Sequence, residues 1–369
     1  MSKLVVHIAE IDISEESGMG RVAWHWRREF EKRGYEFIHI GLTQVGALAH
    51  PGLFPYKAYQ VYKKLKRKAS FLLVHEPASG LFANLNVPVA VVSHGVERRS
   101  WQLRLGHRDG TTKPISQRTK LLFPLWRLRQ CDIGLKNANL LLLINQEDSS
   151  FVNNYYRRDE TNIYVFKNGI YATELNEDIQ PDSSTTVTFI GSWIERKGIK
   201  TLVEAAKVIY EKGLRLTWLL AGAGKDEKSV LDSFPDYLHP FLKIIPSFVR
   251  AQELELLSSS NIFVLPSFFE GQPLSLLQAM ETGRCCIATN CCGQRDFIEH
   301  GYNGLLHEPG NAQELANLVE QCVKDKALRM SLGRNARRSV KDRSWDVAAA
   351  EVVARTEAML TQYENFRNE

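Results

Sequence analysis

Pro266-Ser267-Phe268-Phe269-Glu270-Gly271-Gln272-Pro273-Leu274-Ser275-Leu276-Leu277-Gln278-Ala279-Met280 is the stretch whose reading decides the fold. The apolar run Ile262–Pro266 before it predicts a buried strand. Glu270 and Gly271 form a loop, and Pro273 opens a helical pattern that runs to Thr282, with Gly283 just past its end. Strand, short loop and helix form the repeating unit of a parallel α/β sheet. The free N–H groups at a helix start favour an anion. Glu270 stands before that start and Gln278 lies more than one turn inside, so a carboxylate and an amide can grip two parts of one ligand. The plain alternative is an acidic residue complementing the helix dipole.

Outward from this stretch the alternation continues. Strands are expected at Val187–Ile190, Leu216–Ala221 and Cys285–Thr289, with helices at Thr201–Glu211, Glu253–Ser259 and Ala312–Lys324. The N-terminal half shows strand runs at Leu4–Ala9, Tyr35–Ile40, Phe71–His75, Val89–Ser93 and Leu140–Ile144. Gly18-Met19-Gly20 reads as a tight turn ahead of a helix over 21–33. Between the halves, Ala172–Thr186 is polar, carries Pro181 and several serines, and reads as a linker. At 369 residues the chain suits two domains. The expected division is 1–172, a linker over 173–186, and 187–344, with a helix over 345–369 returning to the first domain. Two doubly wound domains facing across a cleft would put ligands at the carboxyl ends of strands.

Composition narrows the class. Hydrophobic content of 44% and charged content of 24% are those of a globular protein. No secretory leader is expected, because Leu4–Ala9 is too short and Glu10 and Asp12 follow at once. No apolar run is long enough to span a bilayer. Both features point to the cytoplasm. The cysteines Cys285, Cys286, Cys291 and Cys292 have a C-C-x4-C-C spacing unlike structural zinc, so they read as small buried hydrophobes and no metal site is expected.

Three further stretches carry candidate chemistry. After Val187–Ile190, Gly191-Ser192-Trp193-Ile194-Glu195-Arg196-Lys197-Gly198 places two cations at a strand end, suited to a diphosphate whose charge grows as a bond breaks. Gly222-Ala223-Gly224 follows another strand. Val91-Val92-Ser93-His94-Gly95 ends a strand on a histidine, which by itself is more often structural. Residues 18–23, GMGRVA, approximate a dinucleotide fingerprint, but 38–44 offers no acidic ribose ligand, which weighs against a nicotinamide oxidoreductase.

The run from Glu270 to Met280 resembles the E-x7-E region of retaining GT-B glycosyltransferases, glycosyltransferase family four (group 1), whose pattern reads EGxPLSLLEAM. The resemblance is strongest from Phe189 to about Gly304. It implies an α/β GT-B fold of two Rossmann-like domains. It also implies metal-independent transfer of a hexosyl group, with retention, from a UDP- or GDP-type nucleotide diphosphate sugar, and no bound cofactor. Carried over residue by residue, it gives Glu270 to the donor sugar and Gln278 to the ribose, and His94 to the reacting sugar. Arg196 and Lys197 fall to the diphosphate. Gly18, Gly20, Ser192, Gly222, Phe248, Val249, Gly271, Gln272, Pro273 and Leu274 fall to donor binding. The chain departs from the pattern twice. Gln278 replaces a glutamate, losing about 1 kcal/mol of charge assistance, and Ser192 replaces an arginine that Arg196 could supply. Gln278 and Ser192 also support a rival reading as a non-catalytic nucleotide-sugar or membrane binder.

Charge is uneven. Residues 1–180 hold 25 Lys and Arg against 18 acids, and the rest hold 22 against 24. Residues 56–70 carry six cations and no acid. Residues 97–136 carry ten against three, interleaved with Trp101, Leu103, Leu105, Leu121, Leu122, Phe123 and Trp126. Cations with tryptophans suit an anionic membrane surface, so the expected partners are a donor nucleotide sugar and a glycan or lipid-linked acceptor. Peripheral contact with the inner face of a membrane is expected, and nucleic acid is not.

Overall fold

The computed structural model describes residues 3–16, 18–173 and 185–368. Most of the segment read as a linker, residues 174–184, lies outside the described residues. The chain divides into two units. One gathers the chain up to Leu105, Lys113–Gly169 and the stretch from Trp345 onward. The other gathers Gly106–Thr112 and Ile170–Ser344.

The first unit is built on β1 (Lys3–Ile8), β2 (Tyr35–Ile40), β3 (Phe71–His75), β4 (Val89–Ser93), β5 (Leu140–Leu143) and β6 (Ile163–Val165). They form one parallel sheet in the order β2-β1-β3-β4-β5-β6. The inner strands are continuous apolar runs because helices cover both faces of a parallel sheet. β3, β4 and β5 are buried at every position. The Trp345–Asn368 helix belongs to this unit. The Trp345 ring stacks on His25 with centroids 4.3 Å apart, and Glu357 accepts from Arg33 Nη1 at 2.7 Å. A Cβ on Gly169 would lie 2.3 Å from the Trp345 backbone, so only glycine fits there.

The second unit repeats the scheme with β7 (Thr186–Ile190), β8 (Thr217–Ala221), β9 (Leu242–Ile245), β10 (Ile262–Leu265), β11 (Cys285–Thr289) and β12 (Leu305–His307). The order is β12-β11-β10-β7-β8-β9, all parallel. Its core packs Val187, Phe189, Trp193, Trp218 and Phe263 with the buried Cys285 and Cys286. Five of the six cysteines meet the expectation of small buried hydrophobes most plainly: Cys131, Cys285, Cys286, Cys292 and Cys322 are all within 1% exposure, and Cys291 is half-buried.

Two local expectations are corrected. Gly18, Met19 and Gly20 are the first turn of the Gly18–Lys32 helix, not a turn ahead of it. Helical φ and ψ are open to glycine once the rest of the turn is paid for by the buried Val22, Trp26 and Phe30. Pro273 is the cap residue, with ψ 110°, and the helix proper is Leu274–Glu281.

Candidate active site

The site candidates of the second unit lie on loops after neighbouring strands. β7 and β10 are adjacent, so the loops leaving their carboxyl ends meet. From β7 the chain passes Gly191 and Ser192 into a short 3-10 turn, Glu195–Lys197, and closes on Gly198 at φ +72°. A side chain at Gly198 would collide with Pro266 O at 1.9 Å. That glycine therefore lets the cationic turn sit directly against the β10 loop. Phe268 N donates to Arg196 O at 2.9 Å, and Arg196 Nη1 donates to Phe269 O at 2.7 Å.

Those two bonds fix the register that brings Lys197 Nζ to Glu270 Oε1, 2.6 Å apart. Both side chains are largely withdrawn from solvent, at 16% and 9% exposure. Burial alone would raise the Glu270 carboxyl, but Lys197 and then Arg196 outweigh it and hold the group below its ordinary value. Glu270 is therefore ionised at neutral pH. The buried Ser267 side chain, close to the carboxyl, also helps to hold it down.

The floor of the corner is set by Gly293. Its N–H donates to Glu270 O at 3.2 Å, and a Cβ there would lie 1.4 Å from Gly271 O. Gln294 Nε2 donates to Ser267 O at 3.0 Å. Gln272 and Pro273 are buried, while Gly271 and Leu274 are half-buried at the helix start. After β8, Gly222 and Gly224 take φ +71° and +64°. A Cβ on Gly222 would stand 3.0 Å from the Phe248 ring, so Gly222 and Phe248 are brought together. Ser192 and Val249 are exposed.

Gln278 is placed differently from a free ligand group. Its amide closes on the backbone of Tyr171, donating to the carbonyl at 3.0 Å and accepting from the N–H at 3.4 Å. The Arg250 guanidinium lies over the Tyr171 ring at 4.4 Å. Residues 106–112, which no pattern had attached to this half, add Thr112. Its N–H and Oγ1 both donate to the Glu195 carboxylate, at 2.9 and 2.6 Å.

His94 lies in the first unit, after β4. Burial pulls its ring down to about 4, and its Nε2 is buried without a hydrogen-bond partner among the described residues. It sits at the end of a row of histidines that sequence reasoning missed. His39 Nε2 meets Ile11 O at 3.1 Å, His7 Nδ1 meets His39 Nδ1 at 3.0 Å, and His7 Nε2 meets His75 Nε2 at 3.1 Å. The His75 and His94 ring centroids are 5.1 Å apart. A carbonyl only accepts, so His39 carries its proton on Nε2. Its Nδ1 must then accept from His7 Nδ1–H, and His7 Nε2 from His75 Nε2–H. Burial first, then the neighbouring rings, push His7 and His75 well below the ordinary histidine value, and burial lowers His39. The row is neutral. A signal was available: His7, His39 and His75 each fall within two residues of the end of a strand.

Residues 173–339 match the family described as Glycosyl transferases group 1. The chain is 27% identical over 218 residues to N,N'-diacetylbacillosaminyl-diphospho-undecaprenol alpha-1,3-N-acetylgalactosaminyltransferase of Campylobacter jejuni, covering 55% of this chain and 56% of that one. It is 25% identical, again over 218 residues and 56% of each chain, to UDP-Gal:alpha-D-GlcNAc-diphosphoundecaprenol alpha-1,3-galactosyltransferase of Escherichia coli. The chain spans about half the length of the curated relatives it matches. Among solved structures, sucrose-phosphate synthase from Thermosynechococcus elongatus superposes with a TM-score of 0.78 at 18% identity, covering 98% of this chain and 100% of that one. That likeness concerns the fold, which is GT-B. Residues 173–339, which carry the Glu270 corner and the Arg196-Lys197 turn, are thus similar to the glycosyl transferases group 1 family.

Proposed function

We propose that this protein is a glycosyltransferase of polysaccharide or glycolipid synthesis. It moves a sugar from a nucleotide diphosphate sugar to a glycan or lipid-linked acceptor, with retention of configuration. The observation that carries this reading is the buried Lys197–Glu270 pair beside Arg196, at the start of the Leu274–Glu281 helix. Glu270, kept ionised, accepts hydrogen bonds from donor sugar hydroxyls. Lys197, Arg196 and the helix N-terminus stabilise the diphosphate as it leaves. In this scheme the bond from the sugar C1 to the phosphate oxygen breaks, the acceptor oxygen bonds to C1 on the same face, and the acceptor proton passes to the leaving phosphate. These cationic groups take the part a metal ion plays in other phosphate chemistry. His94 keeps, as a proposal, the contact with the reacting sugar.

Both relatives quoted above are named for diphospho-undecaprenol-linked acceptors, which supports a lipid-linked acceptor and peripheral contact with the inner face of a membrane. A thermal-shift screen of common nucleotide sugars tests the donor. Binding to the folded state alone raises the transition temperature by mass action, so the true donor should stabilise the parent and lose that effect in Lys197→Ala. A screen in which no nucleotide sugar or nucleotide diphosphate shifts the parent would overturn the reading. The Gln278–Tyr171 closure favours a second reading, a binder of low turnover, because the amide is already engaged. Release of free nucleotide diphosphate that depends on Glu270 separates the two.

A further inference from the structure

Residues 113–131 of the first unit carry Lys113, Arg118, Lys120, Arg127 and Arg129 and no acid. They fold as the Gln117–Phe123 helix, a π-helical turn over Pro124–Leu128, and the Arg129–Asn137 helix. Pro124 has no N–H to donate, which loosens the helical ladder there. The result presents large apolar side chains to solvent instead of the core. Leu121 is 65% exposed, Leu125 63% and Trp126 45%. Trp126 is not loose: its Nε1 donates to Gly52 O at 3.0 Å, and its ring meets Tyr56 edge-on with centroids 6.3 Å apart. A tryptophan held by its polar edge with its apolar face outward suits the boundary between headgroups and acyl chains. Beside it lies a groove of about 780 Å³ lined by Leu53, Leu122 and Phe123 together with Arg118.

The charges decide what this patch meets. Arg127 is neutralised by Glu10 and Glu97, at 2.9 and 2.7 Å. Arg118, Lys120 and Arg129 are exposed and have no ion-pair partner among the described residues. Uncompensated cations flanking exposed leucines and a tryptophan attract a surface that is both anionic and apolar beneath. We propose that the Gln117–Arg129 segment docks the protein on an anionic phospholipid bilayer, with Leu121, Leu125 and Trp126 entering the acyl boundary and Arg118, Lys120 and Arg129 among the headgroups. Apolar burial and charge together give the two signals that stable but reversible attachment needs. This surface deepens the reading above, in which the acceptor is lipid-linked, and rests on it for its purpose.

The test is co-sedimentation of the full chain with vesicles of phosphatidylcholine alone and of phosphatidylcholine mixed with phosphatidylglycerol. The parent should bind the mixed vesicles, bind the neutral ones far less, and be released by salt. Leu121→Gln/Leu125→Gln and Arg118→Gln/Lys120→Gln/Arg129→Gln should each weaken binding about tenfold or more while leaving the thermal transition unchanged, since every altered side chain is exposed. Equal binding to both vesicles, or variants that bind like the parent, overturns the proposal. So does a lipid-free dimer that the leucine variant dissolves in analytical ultracentrifugation, because the patch is then a self-association face. The nucleotide-sugar thermal shift, read on the same proteins, keeps the two proposals apart. A shift without vesicle binding sinks only the docking surface, and vesicle binding without a shift sinks only the transferase reading.

Discussion

Two buried clusters at strand ends, one in each unit, treat charge in opposite ways. In the second unit Glu270 is ionised because Lys197 stands 2.6 Å away. In the first unit the groups around the ends of β1, β3 and β4 are titratable but neutral, whereas Asp148, past β5, pairs with Arg99 at 2.8 Å. His7, His75 and His94 are held uncharged by burial. Glu76, which accepts from Ser93 Oγ at 2.6 Å and from Glu97 N at 3.1 Å, is raised to about 8 by burial and then by Glu97. Desolvation acts on both units alike. What differs is whether a counter-charge lies within reach, and that decides whether the group keeps its charge or gives it up. In the transferase reading the charged corner suits a diphosphate, and the neutral row suits contact with uncharged hydroxyls.

Breaking the charged side of this contrast should have the largest effect. Lys197→Met leaves a carboxylate buried without its cation and should cost about 3 to 5 kcal/mol of unfolding free energy. Urea denaturation at neutral pH measures it. Lys197→Met/Glu270→Gln removes both charges and should recover most of the loss. A single variant within about 1 kcal/mol of the parent would show that the pair behaves like an exposed one.

The neutral side can be sharpened by pH. Glu76 has a folded value of about 8, above its ordinary one, so the unfolded chain gives up that proton first and stability falls as pH rises from about 4.5 to 8. The histidines act in the other direction. The His94 folded value of about 4 lies below the ordinary 6.5, so the unfolded chain takes up protons first and stability falls as pH drops through that window. Between about 4.5 and 6.5 the two slopes oppose one another. Glu76→Gln keeps an acceptor for Glu97 N and removes one slope. It should be more stable than the parent at pH 8 by about 4 kcal/mol, match it near pH 4.5, and leave the histidine limb visible. Denaturation midpoints across pH 4 to 8 give the comparison, and parallel curves for parent and variant would refute the neutral Glu76.

The smallest effect concerns Gln278. Restoring the glutamate of the family pattern would place a carboxylate oxygen against the Tyr171 carbonyl, where the amide now donates at 3.0 Å. Gln278→Glu should therefore lose about 1 kcal/mol despite matching the family better. A thermal transition at or above that of the parent would mean that the Tyr171 contact contributes nothing.

Much of this was legible in the residues. Nine of the strands were marked by apolar runs ended by Gly, Pro or polar residues, and those that escaped notice, Ile163–Val165, Leu242–Ile245 and Leu305–His307, are short edge strands. An edge strand has one neighbour and is half wet, so its pattern is weak. The Gly18–Gly20 turn was misread because glycine signals a bend only when no helix claims it, and the buried face of Val22, Trp26 and Phe30 claimed it here.

The sequence by itself determined the two α/β halves, the strand–loop–helix corner around Glu270 and the basic, leucine-bearing segment over 97–136, because periodicity, turn residues and charge are local properties. Only the tertiary structure decided that the Arg196 turn lies against Phe269, 73 residues on, that Gln278 closes on Tyr171 across 107 residues, and that His7 reaches His75 across 68. Parallel pairing sets such distant residues side by side. Whether a side chain there keeps its charge depends on the neighbours that replace water, which no local pattern records.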